Sequence, residues 1–211
     1  LRKNPTALAW TCGAPYVEDS IKDHQQLVAV PLLNKVPTYS SFIIARKESK
    51  KKSISEFQNS IFVYSDLRSN SGYIAPSILL KKKGLNINNF FRLQIAAGTH
   101  ERSIEAVQRG LADVAAIDEY VWIEYIKMHP KLKNELHIIE KSGPFPFTPI
   151  VAGSSVKKHV LEKISHSLVN MNENELNTFK KDFNLDGFVL KEKSFYDPIK
   201  SMLEELKEKA Q

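Results

Sequence analysis

The sequence has little cysteine and no long apolar run. Cys12 is the one cysteine among 211 residues, which excludes an intrachain disulfide and a cysteine-based metal cage. No stretch approaches the roughly 20 consecutive apolar residues of a membrane-spanning helix. Internal repeats are absent, and the low-complexity content is limited to two short lysine runs, Lys50–Lys52 and Lys81–Lys83. Disulfide scaffolds, repeat arrays and transmembrane helices are therefore excluded for these residues.

The chain is basic, with a formal net charge of +6 and a pI of about 9.2. Such a balance suits nucleic acid, an anionic membrane surface or a small anion. The lysines are scattered, as on a solvated surface, and the aromatic residues do not alternate with them, which argues against nucleic acid. The contents of 42% hydrophobic and 26% charged residues are ordinary for a globular protein.

Strand-like runs alternate with helical ones, which predicts an α/β fold. "LVAVPLL" and "YSSFIIAR" lie on either side of Pro37, and we expect the chain to pair or bend there. Further on, "SIFVYS", "FRLQIAAG" and "ADVAAIDEY" alternate with helices over 71–83 and 100–110, and the chain after 155 is mainly helical. The pattern predicts two lobes, residues 1–46 with 149–211 as the first lobe and 47–148 as the second.

Polar residues follow three of the predicted strands. Ser69, Asn70 and Ser71 come after "FVYS", His100 follows "QIAAG", and Asp118-Glu119 follow "DVAAI". Ligands of open α/β sheets bind beyond the carboxyl ends of the strands. The first two ends also open helices, whose free N–H groups and dipoles attract anions. The sequence therefore predicts a site for a tetrahedral oxyanion.

Other interpretations of the same residues remain open. Ser69 or Ser71 can be a simple helix cap, His100 a surface histidine, and the two carboxylates ordinary loop residues. A hydrolase would use Ser69 or Ser71, His100 and Asp118 as nucleophile, base and orienting group. No Gly-x-Ser-x-Gly elbow is present to hold a strained serine, which argues against that enzyme. We therefore predict no catalytic residue.

Several segments resemble the periplasmic substrate-binding proteins of phosphate, phosphite and phosphonate ABC importers. "SNSGYIAPSILLKKKGLN" and "AAGTHERSIEAVQRGLADVAAIDEYV" are similar to the family's Ser-Thr-Ser-Gly-Tyr, Gly-Ser-His and Ala-Val-x-x-Gly-x-x-Asp-Ala-Ala patterns. "ALAWTCGAPYVED", "YSSFIIARKES", "SISEFQ", "SGPFPFTPIVA" and "YDPIKSMLEEL" match further blocks in the same order. The resemblance covers essentially the whole chain and implies a two-lobed type 2 periplasmic binding protein. It also implies a strand, helix and strand before Leu1, so we expect the first lobe to be incomplete.

The resemblance implies an anion held by Ser69, Asn70, Ser71 and His100, with Asn70 in place of the usual threonine. Tyr39 matches the tyrosine that reaches in from the first lobe.

The resemblance also bears on aminophosphonate binding. Glu119, or Asp118 beside it, falls where aminophosphonate binders place a carboxylate for the ligand amine. Thr148 stands where those binders have a second carboxylate, so this chain departs from them. The segment Thr11–Ala14 falls where the first lobe lines the cleft, too loosely matched to give contacts.

The implied function is that of an extracytoplasmic receptor, periplasmic or membrane-anchored, that captures a phosphorus oxyanion or phosphonate for an ABC importer. Its partners would be the small anion and the importer permease. It would meet the membrane only through the transporter or a lipid anchor. No cofactor or metal is implied. The sequence leaves open whether the module serves a transporter or is the input domain of a sensor.

Overall fold

The computed structural model describes residues 1–207 and divides into two units by its internal contacts. Unit 1 contains residues 1–38 and 145–201. Unit 2 contains residues 39–144 and the described chain from Met202 onward.

The strands and helices alternate along most of the chain, as the sequence predicts. The strands in residues 1–207 are β1 Leu8–Trp10, β2 Gln26–Pro31, β3 Thr38–Arg46, β4 Ile61–Tyr64, β5 Leu93–Ala96, β6 Val114–Asp118, β7 Leu136–Pro146, β8 Ile150–Ala152 and β9 Phe188–Val189. The α-helices in the same residues are α1 Gly13–Lys22, α2 Ala75–Lys82, α3 Ile87–Phe90, α4 His100–Gln108, α5 Glu119–Met128, α6 Leu132–Glu135, α7 Lys158–Val169, α8 Glu173–Phe183 and α9 Asp197–Lys207. Short 3₁₀ turns occupy Ile54–Glu56 and Lys193–Tyr196.

Unit 2 is built on a five-stranded sheet in the order β5-β4-β6-β3-β7. Strand β4 is parallel to β5 and to β6, whereas β3 runs antiparallel to β6 with Ser41 opposite Asp118. Alternate residues of β3 enter two cores, Phe42 and Ile44 on one face and Ile43 and Ala45 on the other. Helices α4 and α5 cover the first face, and α2 and α3 cover the second. Burial on both faces explains the near-continuous apolar composition of β3 and β6.

The position of β3 corrects one expectation from the sequence and decides a question that the sequence left open. The sequence placed residues 39–46 in the first lobe, but the chain from Tyr39 onward belongs to unit 2. Between pairing with "LVAVPLL" and a bend at Pro37, the structure has no pairing, because β2 pairs with β8 and β9, and β3 pairs with β6. The physical reason is that β3 is buried on both faces and needs a sheet covered by helices on both sides. The first crossing between units therefore falls after Thr38 rather than after Arg46, and the second after Pro144.

Unit 1 contains an antiparallel four-stranded sheet in the order β1-β8-β2-β9. Helix α7 packs on it, placing Leu161, Ile164 and Leu168 against Val28 and Ala152. No helix within residues 1–207 combines the length and apolar character needed to cross a bilayer.

The helix predicted over 71–83 begins differently from the expectation. Asn70–Ile74 form a π-helical turn that leads directly into α2. The main-chain N–H groups of Tyr73 and Ile74 both donate to the carbonyl oxygen of Ser69, each over 3.1 Å. Such wide turns are rare and occur frequently at functional sites. Gly84 and Gly110, which the sequence predicts just beyond α2 and α4, have the positive φ angles of 72° and 73° expected there.

Candidate functional site

The polar strand ends named by the sequence lie at one edge of the five-stranded sheet. Parallel strands β4, β5 and β6 bring their carboxyl ends to a common edge. Because β3 is antiparallel to β6, its first residues lie at that same edge. The structure therefore groups the predicted site residues within unit 2. They are Tyr39, Ser69, Asn70, Ser71, His100, Asp118 and Glu119.

Ser69 is the cap of the helix that begins at Asn70. Its Oγ accepts a hydrogen bond from the N–H of Gly72 over 3.0 Å. The side chain is almost fully buried, with 4% exposure. The cap interpretation is thus correct for Ser69, but capping uses only one of the two lone pairs of the hydroxyl oxygen.

His100 is the first residue of α4 and faces two serine hydroxyls. Its Nε2 atom lies 3.4 Å from Oγ of Ser65 and 3.4 Å from Oγ of Ser69. Its Nδ1 accepts from the main-chain N–H of Asp118 over 3.4 Å. The imidazole also interacts with the carbonyl oxygen of Ala116. We assign the tautomer from the Asp118 N–H, which has hydrogen-bond geometry, and this places the ring proton on Nε2.

The imidazole of His100 is neutral at physiological pH. Burial lowers its pKa from 6.5 to about 4, although Glu101 and the Ala116 carbonyl favour the cation. A helix N-terminus also disfavours a positive charge. His100 therefore presents one N–H donor, at Nε2, to the two serines.

The tautomer assigned to His100 bears on the direction of the serine protons. The Oγ of Ser69 receives the N–H of Gly72 and the Nε2–H of His100, so its own proton is left to donate elsewhere. Ser65, which is 6% exposed, receives the same imidazole N–H. In this tautomer neither hydroxyl donates to His100, and both keep a proton for another acceptor. Sequence reasoning missed Ser65, although it directly follows the strand "IFVY" and so has the signal that selected the other site residues.

Gly72 allows this cluster to form. A Cβ atom at Gly72 would lie 2.6 Å from Oγ of Ser65, 2.9 Å from Oγ of Ser69 and 3.2 Å from Cε1 of His100. The first two distances are shorter than real Cβ contacts. Any larger residue would therefore displace the hydroxyls from the imidazole.

Asn70 and Ser71 connect the same turn to β3. Asn70 is fully buried, and its Nδ2 donates to the hydroxyl oxygen of Tyr39 over 3.1 Å. The carbonyl oxygen of Ser71 accepts from Oγ of Ser41 over 2.6 Å. The hydroxyl of Ser71 interacts with the Asp118 carboxyl group. The carbonyl oxygen and the hydroxyl of Ser71 thus both have partners within unit 2.

Asp118 caps α5. One carboxylate oxygen accepts from the N–H of Tyr120 over 2.8 Å and from that of Val121 over 3.3 Å. Burial raises the pKa of Asp118 to about 7, and the helix N–H groups and Ser71 oppose this rise. Its link to His100 runs through the main-chain N–H and not through the carboxylate. A catalytic triad requires the carboxylate to accept the Nδ1 proton, so this arrangement is not a triad.

Glu119 and Thr148, the two positions compared with aminophosphonate binders, both accept hydrogen bonds from other residues of the chain. Oε2 of Glu119 accepts from the main-chain N–H of Ser40 over 2.7 Å, within unit 2. In unit 1, Nε1 of Trp10 donates to Oγ1 and to the carbonyl oxygen of Thr148, over 2.7 and 3.0 Å. Also in unit 1, helix α1 begins at Gly13, so Thr11–Ala14 contains its first residues.

The donor set suits an anion and offers little to a cation. Within residues 1–207, no cluster of three or more His, Cys, Asp or Glu side chains is arranged to hold a metal ion. The arrangement combines two buried hydroxyls, a neutral imidazole and the first turns of two helices.

Comparison with known proteins gives one family. The family described as "ABC transporter, phosphonate, periplasmic substrate-binding protein" matches residues 1–196. A curated relative is the "Probable ABC transporter phosphite binding protein PhnD1" of Prochlorococcus marinus (strain MIT 9301), 28% identical over 91 residues. That match covers 43% of this chain and 31% of the relative, so it spans about a third of the relative's length.

Solved structures share the fold at low sequence identity. The PhnD1 structure from Prochlorococcus marinus (MIT 9301), in complex with methylphosphonate, has a TM-score of 0.85 at 20% identity, covering 98% of this chain and 80% of that one. A binding protein component of an ABC phosphonate transporter from Pseudomonas aeruginosa gives 0.82 at 22% identity, covering 92% and 67%. XAC2383 from Xanthomonas citri, bound to ATP, gives 0.79 at 15% identity, covering 100% and 82%. From the family match over residues 1–196 and the shared fold, we conclude that this chain belongs to the phosphonate ABC transporter family of periplasmic substrate-binding proteins, which bind ligands and are not enzymes.

Proposed function

We propose that this protein captures a small phosphorus oxyanion or phosphonate outside the cytoplasm and presents it to an ABC importer. The anion would bind at the carboxyl edge of the five-stranded sheet in unit 2. The observation that carries the proposal is the convergence of Ser65 and Ser69 on Nε2 of His100, beside the first turn of a helix. Family membership supports the transport role.

The site favours an anion for three reasons. In the assigned tautomer Ser69 Oγ accepts from the Gly72 N–H and the His100 N–H, which leaves its own proton as a donor to a ligand. The helix that starts at Asn70 and helix α4 both direct their positive ends to this edge. His100 is neutral and so adds a donor without the desolvation cost of a buried cation. Each bond to a charged ligand contributes about 1.5–3 kcal/mol.

The residues at positions 119 and 148 favour ligands without an ammonium group. Glu119 holds the backbone of β3 through Ser40, and Thr148 carries no negative charge. By the family resemblance, Glu119 and Thr148 match two positions where aminophosphonate binders have carboxylates, and this chain keeps a carboxylate at one of them. The proposed ligands are therefore phosphite, phosphate and simple alkylphosphonates rather than aminophosphonates. The methylphosphonate complex of the structurally similar PhnD1 is in keeping with this class.

A ligand panel on the full-length protein tests the proposal. Thermal unfolding and calorimetry are measured with phosphate, phosphite, methylphosphonate, ethylphosphonate and 2-aminoethylphosphonate. A ligand present at 100 times its Kd should raise the free energy of unfolding by about 2.7 kcal/mol. The amine should improve affinity over ethylphosphonate by less than tenfold, or about 1.4 kcal/mol.

Two results would count against the proposal. Absence of binding by the whole panel would remove the assignment of the ligand class. A preference of more than tenfold for the amine would show that Glu119 leaves Ser40 and binds the ammonium group by itself.

A further inference from the structure

Asn70 has a buried acceptor that no protein donor satisfies. Within residues 1–207, three buried side-chain polar atoms have no hydrogen-bond partner, namely Tyr16 Oη, Asn70 Oδ1 and His137 Nε2. Tyr16 lies in unit 1 and His137 on β7, so Asn70 is the one of the three at the site. It is 0% exposed and stands between Ser69 and Ser71 in the first turn of the helix.

The structure orients the amide with its nitrogen toward Tyr39. Nδ2 of Asn70 donates to the Tyr39 hydroxyl over 3.1 Å, which leaves Oδ1 as the free end of the amide. A buried carbonyl oxygen without a donor is costly, and the large majority of such atoms in folded proteins are satisfied. Asn70 therefore needs a donor from the ligand.

Two carboxylates at this edge each have protein donors. Asp118 receives the N–H groups of Tyr120 and Val121 and interacts with the hydroxyl of Ser71. Glu119 receives the N–H of Ser40. Oδ1 of Asn70 differs from them in having no protein donor.

We propose that Oδ1 of Asn70 selects the ligand by its protonation state, accepting a hydrogen bond from the P–OH of a monoprotonated phosphorus oxyanion. This inference rests on the proposed function, because it assigns a role within the same anion site. A site that hydrogen-bonds a ligand hydroxyl rejects an analogue without it, since its buried polar group is then unpaired. The site should therefore discriminate against fully deprotonated anions of the same shape.

Methanesulfonate and methylphosphonate provide a matched pair of probes. At about pH 5 an alkylphosphonate keeps its second proton, since even phosphate monoesters lose theirs only near pH 6. Both probes are then monoanions of nearly equal size, and they differ by one hydroxyl proton. In methanesulfonate an oxygen without a proton would face the Asn70 carbonyl oxygen.

The experiment is calorimetry with both probes on full-length wild type, Asn70→Leu and Tyr39→Phe. Wild type should bind methylphosphonate at least tenfold more tightly than methanesulfonate. Asn70→Leu keeps the approximate shape but removes the acceptor, so the ratio should fall to about one. Tyr39→Phe removes the partner of Nδ2 and leaves Oδ1, so the ratio should stay high even if both affinities change.

A second measurement does not require a substitution to fold. The ³¹P shift of bound methylphosphonate reports whether it carries a proton, and a pH titration gives its bound pKa. In wild type this pKa should lie above that of the free ligand. Tyr39, His100, Asp118 and Glu119 face the same edge, and they are unchanged in Asn70→Leu and in a smaller Asn70→Ala variant. Comparison with either variant therefore isolates Asn70.

The outcomes separate this inference from the proposed function. Two outcomes would overturn the role of Asn70 but leave the proposed receptor function standing, provided that methylphosphonate binds. The first is an equal ratio of methylphosphonate to methanesulfonate affinity in wild type and Asn70→Leu. The second is a pKa of bound methylphosphonate below that of the free ligand. A reversed amide would direct two N–H donors at the ligand and would remove the preference for the phosphonate, which also overturns the role of Asn70. Failure to bind any phosphorus oxyanion would overturn both.

Discussion

The main-chain N–H of Asp118 donates to Nδ1 of His100 over 3.4 Å. This contact joins the end of strand β6 to the first residue of helix α4. In the tautomer assigned from this contact, the imidazole proton lies on the side of Ser65 and Ser69, and both hydroxyls keep their own protons for another acceptor.

His100 and Asp118 should make opposite contributions to the pH dependence of stability. The pKa of His100 falls from 6.5 to about 4 on folding, so between these values the unfolded chain binds the extra proton. Its contribution to the free energy of unfolding is lost as pH falls through this range. The pKa of Asp118 rises from 3.8 to about 7, so there the folded chain binds the extra proton. Its contribution is lost as pH rises from about 4 to 7.

Single substitutions should expose these opposing slopes. Asp118→Asn keeps a capping side chain and should become less stable, relative to wild type, as pH falls from about 6.5 to 4. His100→Gln should instead lose stability relative to wild type as pH rises from about 4 to 7. Denaturant unfolding across pH 4–7.5 measures both curves. His159→Gln, on the exposed side of α7, is the control and should follow wild type. Parallel curves for all three variants would contradict the assigned burial effects.

Gly72→Ala should lower the free energy of unfolding and should also weaken ligand binding. The new methyl group would lie 2.6 Å from Oγ of Ser65 and 2.9 Å from Oγ of Ser69, so both donors must move. Overpacking of this kind costs about 1–3 kcal/mol of stability. We expect, in addition, at least a tenfold rise in Kd for methylphosphonate, measured by calorimetry.

Two variants serve as controls for Gly72→Ala. Adding Ser65→Ala removes the nearest oxygen and should restore part of the lost stability. Gly84→Ala, at a φ of 72° with open space around the new methyl group, should lower stability and leave Kd unchanged. Equal Kd values for Gly72→Ala and wild type would show that the ligand does not use these hydroxyls.

The grouping of the site residues at one edge of the sheet could be predicted from sequence, because parallel strands end on the same side. The strands before Ser69, His100 and Asp118 were recognisable from their apolar composition, and each is followed by polar residues. The structure brings those residues together at one edge, as the pattern predicts. The family resemblance, and with it the two-sheet α/β fold, is confirmed by the family match and the similar structures.

The pairing of β3 could not be predicted in the same way. The run "YSSFIIAR" indicates a buried strand but carries no signal for its partner, so pairing with β2 and a bend at Pro37 both stayed open until the pairing with β6 was seen. The environments of Ser65 and Asn70 depend on the π-helical turn, which no composition signal marks. Capping, anion binding and structural hydrogen bonds all call for the same small polar residues, so composition does not separate their roles.

Ser69→Ala should affect both stability and binding, and a matched cap elsewhere should affect stability alone. Ser69 accepts from the N–H of Gly72, and loss of such a cap costs about 1 kcal/mol. Its outward proton is also the proposed donor to the ligand, and its loss should cost about 1.5–3 kcal/mol of binding, or roughly tenfold to a hundredfold in Kd.

Asn172 caps α8 in unit 1, with the reciprocal bond from its own N–H to Glu175. Asn172→Ala should lower the melting temperature similarly and leave Kd unchanged, because Asn172 is not among the proposed site residues. The test is to measure the melting temperature and the Kd for methylphosphonate on both variants and on His100→Ala. These values show whether Ser69 only caps the helix or also binds the ligand. If Ser69→Ala and His100→Ala shift the melting temperature alone, as Asn172→Ala should, then Ser69 is only a cap and the anion site lies elsewhere.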